Sequence, residues 1–133
     1  MVLMDASRTP LAVDIAPADQ HEVQLIEPLL DRAVVGLPAE RLPLVYDKAA
    51  DSDDLRDRLD AAGFDLVCPH RSNRVRPPRQ DRRKLRGKDR GKVERLNAWL
   101  KNLRRVRTRD EIRPELSHAF APIACLFTIL KTF

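Results

Sequence analysis

Aromatic residues are scarce in this chain of 133 residues, at 5%, and cysteines number only two. Hydrophobic residues at 43% still allow a core, and the length suits about one domain. Cys68 and Cys125 lie far apart, and His70 is their only near neighbour that could serve as a ligand. That spacing argues against a structural metal site and predicts free thiols in a reducing cytosol. His21, His70 and His118 are scattered, which favours structural or solvated roles over metal ligation. Residues 1–10 have neither a basic segment nor an apolar stretch, so no secretory signal is expected. The longest apolar run, near 119–130, is interrupted by Pro122 and is too short to span a bilayer, so no membrane partner is expected. No internal repeat is visible.

What the chain has is charge, unevenly spread. Residues 70–109 hold 17 Lys and Arg against three acids, a net +14. The remainder holds eight basic against 17 acidic residues, a net −9. A block this basic is a footprint for a polyanion, nucleic acid first, although a solvated basic linker has the same composition.

Hydrophobic patterning predicts the element order β-β-α-β-α-β, a connector, then two helices. Residues 2–4 and 11–15 read as a hairpin around a turn at 5–10. Asp19 is placed to cap a helix carrying Val23, Ile26, Leu29, Leu30 and Ala33, which Gly36 and Pro38 end. Residues 42–46 read as a buried strand with Asp47 at its end. Ser52 suits the N-cap of a helix at 53–62, and Gly63 its C′ position. Asp51, Asp53 and Asp54 read as that helix's acidic first turn. Residues 65–68 form the next strand.

Residues 70–80 read as a mobile or DNA-associated connector rich in Pro and Arg. A long helix follows from about 82, with Val93, Leu96, Leu100, Leu103 and Val106 as its apolar stripe. Arg90, Glu94, Asn97 and Lys101 recur at spacings of four, three and four, which places them on one face. Trp99 is expected to pack rather than to stack on bases. In the last helix Leu116, Phe120, Ile123, Phe127 and Leu130 recur at helical spacing, and Pro122 should kink it or mark its start. The alternation of strands and helices implies an α/β fold with a partly parallel sheet.

An acid ending a strand together with an acid on a nearby helix can hold Mg2+ or Mn2+. Two such ions clamp the attacking and leaving oxygens of a phosphoryl transfer, which takes at least three carboxylates. The plainer alternative is a turn-capping Asp and a solvated Glu. Arg104, Arg105, Arg107 and Arg109 are either phosphate contacts or a solvated helix end.

Two stretches decide between these readings. Residues 46–58 (YDKAADSDDLRDR) resemble the second-Asp signature of the DDE transposases of bacterial insertion sequences. Residues 92–105 (KVERLNAWLKNLRR) resemble the third-acid helix of that family, whose Arg-x3-Glu-x6-Lys spacing is met by Arg90, Glu94 and Lys101. The connector 69–76, the tail 121–130 and residues 5–30 are similar as well, so the resemblance covers nearly the whole chain. It implies a partial ribonuclease-H-like fold, a mixed sheet lacking its first strand, followed by a basic helix and a C-terminal helix. The expected divisions are 1–69, a connector at 70–81, and 82–133. It implies Asp47 and Glu94 as catalytic metal ligands for Mg2+ or Mn2+. It implies DNA contacts from Arg90, Lys101, Arg71, Arg74, Arg104 and Arg105, with Asn97 sharing their face.

Three departures stand out. Gly87 replaces a Tyr of the helix pattern, and Ala50 replaces a Tyr beside Asp47. The first catalytic Asp has no counterpart: Asp5 aligns better with a hairpin turn, and Asp14 is a weaker candidate still. The absent central strand would leave two strand edges unpaired. The expectation is therefore DNA transposition by a truncated or split enzyme, inactive alone, with an upstream transposase polypeptide supplying the Asp. The alternative is a DNA-binding remnant or regulator. DNA, and a homo-oligomer, are the expected partners, in the cytoplasm at the nucleoid.

Overall fold

The computed structural model describes residues 1–17, 19–33, 35–36, 40–74, 83–108 and 114–131; in 83–90 and at 114 and 117 it describes the backbone only. The elements are β1 (Val2–Met4), β2 (Pro10–Val13), α1 (Ile26–Asp31), β3 (Leu42–Val45), α2 (Asp53–Ala61), β4 (Phe64–Val67), α3 (Arg83–Lys101), α4 (Arg104–Arg107) and α5 (Pro114–Leu130). This is a mixed α/β chain in the order that the sequence pattern predicts. Its contacts divide into two units, one of Met1–Gly36 with Lys92–Phe133 and one of Leu37–Gly91.

In the first unit β1 and β2 pair antiparallel, Val2 opposite Val13, with a bulge between Leu3 and Met4. Asp5 makes the turn: its Oδ1 accepts the amides of Ser7 and Thr9, each at 2.8 Å. Arg8 takes a positive φ of 75° there. The following helix starts later than Asp19. It opens as a 3-10 turn at Glu22–Leu25 with no side-chain cap, and it ends at Asp31. Leu25, Ile26, Leu29 and Leu30 are buried, so the apolar periodicity sets the helix even where its capping residue does not.

The core of this unit joins Leu96 and Leu100 of α3 to Ala124 and Cys125 of α5, with Val2, Met4, Val13, Leu103 and Val106 packed around them. Val93, expected in the same stripe, is 44% exposed. The stripe bends at its far end as well. Helix α3 stops at Lys101, and the short α4 carries Val106 back onto the core.

In helix α5 most of the large apolar residues that recur at helical spacing do not form the buried face. Ala121, Ala124, Cys125 and Thr128 are buried, whereas Leu116, Ile123, Leu126, Phe127 and Leu130 are exposed. Small side chains let the helix approach β2 and α4 closely, and Thr128 satisfies its buried hydroxyl by donating to the Ala124 carbonyl at 2.9 Å. The helix runs through Pro122, which therefore does not mark its start.

In the second unit β3 and β4 pair parallel and in register, Leu42 opposite Phe64 and Val45 opposite Val67. Helix α2 connects them and packs on β4 through the buried Leu55 and Leu59. Ser52 caps α2 as expected, accepting the Leu55 amide at 3.4 Å. Gly63 follows the C-cap with φ +86°, the left-handed turn that sends the chain into β4. Among the described residues the strands form two two-stranded sheets, one in each unit.

The two sides of α3 should respond differently to truncation. Leu96→Ala, at a site 1% exposed, should cost about 3 kcal/mol. Val93→Ala should stay within about 0.5 kcal/mol of wild type. Chemical denaturation of the two variants measures both.

Candidate metal and nucleic-acid site

Asp47 follows β3 directly. The Tyr46 amide still donates to the Val67 carbonyl at 3.0 Å, so the ladder persists up to the residue before it. Asp47 then caps a 3-10 turn, Lys48–Ala50, and its Oδ1 accepts the Ala49 amide at 2.7 Å. It is exposed, whereas Ala50 is fully buried, so the small residue at that position leaves no open surface beside it.

The next residue is the one that sequence reasoning missed. Asp51 is buried and is not part of the acidic first turn of α2. Its Oδ1 accepts from Arg74 at 2.6 Å and from Arg56 at 3.1 Å, and lies 3.2 Å from His70 Nδ1. Its Oδ2 accepts the Arg71 amide at 2.7 Å. Burial pushes its carboxyl up, but the Arg71 amide, Arg56, His70 and the charge of Arg74 outweigh it and hold the group at about 2. Asp53 and Asp54 do belong to the first turn, paired with Arg74 and Arg58.

Two of the arginines expected to contact DNA, the exposed Arg71 and the half-buried Arg74, bond to the segment that follows Asp47. Arg71 donates from Nη2 to the Ala49 carbonyl at 2.7 Å and from Nε to the Lys48 carbonyl at 3.3 Å. The Arg74 side chain is shared between Asp51 and Asp53. Residues 70–74 thus form a strap bonded to the turn at 47–51; the expectation for 75–81 lies outside the described residues. One signal could have shown this. Parallel strands send their exits out side by side, so the segment after β4 must lie against the segment after β3, and each carries charge of the opposite sign.

On α3, Glu94, Asn97 and Lys101 are all exposed, as the spacing predicts. The Arg90 side chain lies outside the described residues. Trp99, expected to pack, is 37% exposed. Arg104 and Arg105 are exposed on α4, with the Arg105 guanidinium 5.4 Å over the Phe120 ring. Asp14 is buried at the end of β2 and is committed to Arg32 at 2.6 Å, with His118 at 3.6 Å.

Asp47 belongs to the second unit and Glu94 to the first. Both are hard oxygen donors, the right chemistry for Mg2+ or Mn2+. Among the described residues, however, no group of three His, Cys, Asp or Glu could hold a metal ion. Asp51, the carboxylate nearest to Asp47 in sequence, is taken up by its basic partners.

A family profile, the transposase DDE domain, matches residues 1–121, which include both Asp47 and Glu94. The chain belongs to this family. It is also 34% identical, over 98% of its length, to a Burkholderia cepacia protein carried as a candidate transposase for insertion sequence element IS402. The chain spans 62% of the length of that relative. No solved structure matches it. DDE transposase domains generally use divalent metal ions. No described helix is long and apolar enough to cross a membrane.

The Asp51 network makes a pH prediction. Its carboxyl titrates at about 2 in the fold, below the ordinary value of 3.8. A depressed carboxylate stabilises the fold above the unfolded value and ceases to do so as pH falls through the folded one. About 2 kcal/mol should therefore be present at pH 7 and lost between about pH 4 and pH 2. In urea unfolding across that range, Asp51→Asn should be less stable at pH 7 and show a flatter acid limb than wild type.

Proposed function

We propose that this chain is catalytic-domain sequence of an insertion-sequence DDE transposase, cleaving and rejoining DNA with Asp47 and Glu94 as two of its three metal-binding carboxylates. The observation that carries the reading is the family match across both residues, 1–121. Their settings support it. Asp47 stands exposed just past the end of a parallel strand, and Glu94 stands exposed on a helix with Asn97 and Lys101. In this reading the architecture is ribonuclease-H-like, divided as 1–69, 70–81 and 82–133.

Asp47, Glu94 and a third carboxylate from a segment not assigned here would hold Mg2+ or Mn2+. The bound ions supply Lewis acidity at the scissile phosphate. Asp5 and Asp14 are occupied with their own turn and ion pairs, so neither is assigned that role. Water and then a DNA 3′-hydroxyl would attack the phosphodiester. In this reading the chain works in a complex assembled on DNA at the nucleoid.

Lys101, Asn97, Arg104 and Arg105, with Arg90, are assigned to the DNA backbone. Arg71 and Arg74 act indirectly. Through Asp51 and the carbonyls of Lys48 and Ala49 they fix the turn that presents Asp47.

A second reading is a DNA-binding module without catalysis. The observation in its favour is the exposed set Lys101, Arg104 and Arg105, which would hold a phosphate backbone without any metal.

Binding and nicking assays separate the two. Lys101→Ala should weaken binding to a generic duplex and lower the salt slope of log affinity by about one. Glu94→Gln should leave that affinity within about twofold, since it removes no cation. Plasmid nicking that requires Mg2+ or Mn2+ and disappears in Glu94→Gln supports the enzyme. Salt-sensitive binding with no nicking supports the module, and nicking that survives Glu94→Gln removes Glu94 from the site.

A further inference from the structure

Helix α5 buries its small side chains and presents its large ones. Leu116, Ile123, Leu126, Phe127 and Leu130 are between 45% and 61% exposed. At 3.6 residues per turn all five fall within about 120° on the side away from Ala121, Ala124, Cys125 and Thr128. An apolar strip of this length on a surface otherwise rich in charge marks a contact site.

The chemistry of the strip narrows the occupant. Residues 114–130 contain one acid, Glu115, and no Lys or Arg. The strip therefore has nothing to meet a phosphate backbone or an anionic lipid surface. The first cation past the helix is Lys131, whose amide still donates to the Phe127 carbonyl at 3.2 Å, so the helical turn extends to it.

Every fourth residue along the strip gives one row: Glu115, Ala119, Ile123, Phe127, Lys131. The commonest packing of two helices sets such rows side by side at a crossing of about 50°. If two copies of α5 pack this way and antiparallel about Ile123, the row complements itself. Ile123 meets Ile123, the small Ala119 meets the large Phe127, and Glu115 meets Lys131 at both ends. A parallel pair would instead set Glu115 beside Glu115.

We propose that the exposed face of α5 is an isologous self-association surface, on which a second copy of this chain seats its own α5 antiparallel about Ile123. The inference stands whether or not the chain cleaves DNA. Helix α5 is roughly 25 Å long, at 1.5 Å per residue. A strip of that length covers less than the ~800 Å² per partner of a standard interface. The dimer is accordingly a weak one, with dissociation in the micromolar range or above.

Sedimentation equilibrium of the full chain, from about 5 to about 500 µM, tests it. The expected result is a reversible monomer–dimer equilibrium that stops at the dimer. Ile123→Glu, which sets two like charges face to face, should raise the dissociation constant by at least ~30-fold. Glu115→Lys alone and Lys131→Glu alone should each raise it about fivefold, as expected for rim charges. The double reversal should return it to within about twofold of wild type. All these side chains are exposed, so the helical circular dichroism signal should be unchanged. A monomer throughout the range, association that continues past the dimer, or a double reversal no better than the singles would each overturn the proposal.

Discussion

A carboxylate buried among basic groups organises the second unit. Asp51 could not be left charged in the interior without partners, because an unpaired buried charge costs several kcal/mol. Arg56, His70, Arg74 and the Arg71 amide compensate it together. Three of these four come from the segment after β4, so the network closes the loop that the parallel strands leave open. Arg56 comes from α2 and also donates to the Leu66 carbonyl at 2.6 Å, which ties the helix to the same point. The turn bearing Asp47 is consequently tied down by bonds from the segment after β4.

Much of this organisation was legible in the sequence. Strand and helix order followed from apolar periodicity, and Ser52 and Gly63 marked both ends of α2. The exposed row of Glu94, Asn97 and Lys101 followed from spacing, because a helical face with no apolar member has no reason to be buried. Family resemblance selected Asp47 and Glu94 from among 20 acids, a choice that spacing alone left open.

What was not legible has specific causes. Asp51 sits four residues after Asp47 and one before an N-cap, a position where an acid is ordinarily a helix-dipole partner. Only the return of residues 70–74 makes it a hub, and that is a long-range contact. The orientation of α5 was misread because periodicity counts large apolar residues and treats alanine as neutral. Close packing against β2 and α4 favours the small ones, so the buried stripe is the one with less hydrophobic weight. Asp19 lost its cap because the chain enters α1 through a 3-10 turn.

The two cysteines, unremarkable as chemistry, fall one to a unit. Cys68 follows β4 and accepts from Arg56, and Cys125 lies on the buried face of α5, where burial pushes its thiol pKa up. Neither can meet a bulky thiol reagent without local opening. Labelling rates at the two positions are therefore independent clocks: one times the release of the Asp51 strap, the other the lifting of α5. The chain carries its own probes for asking which half loosens first.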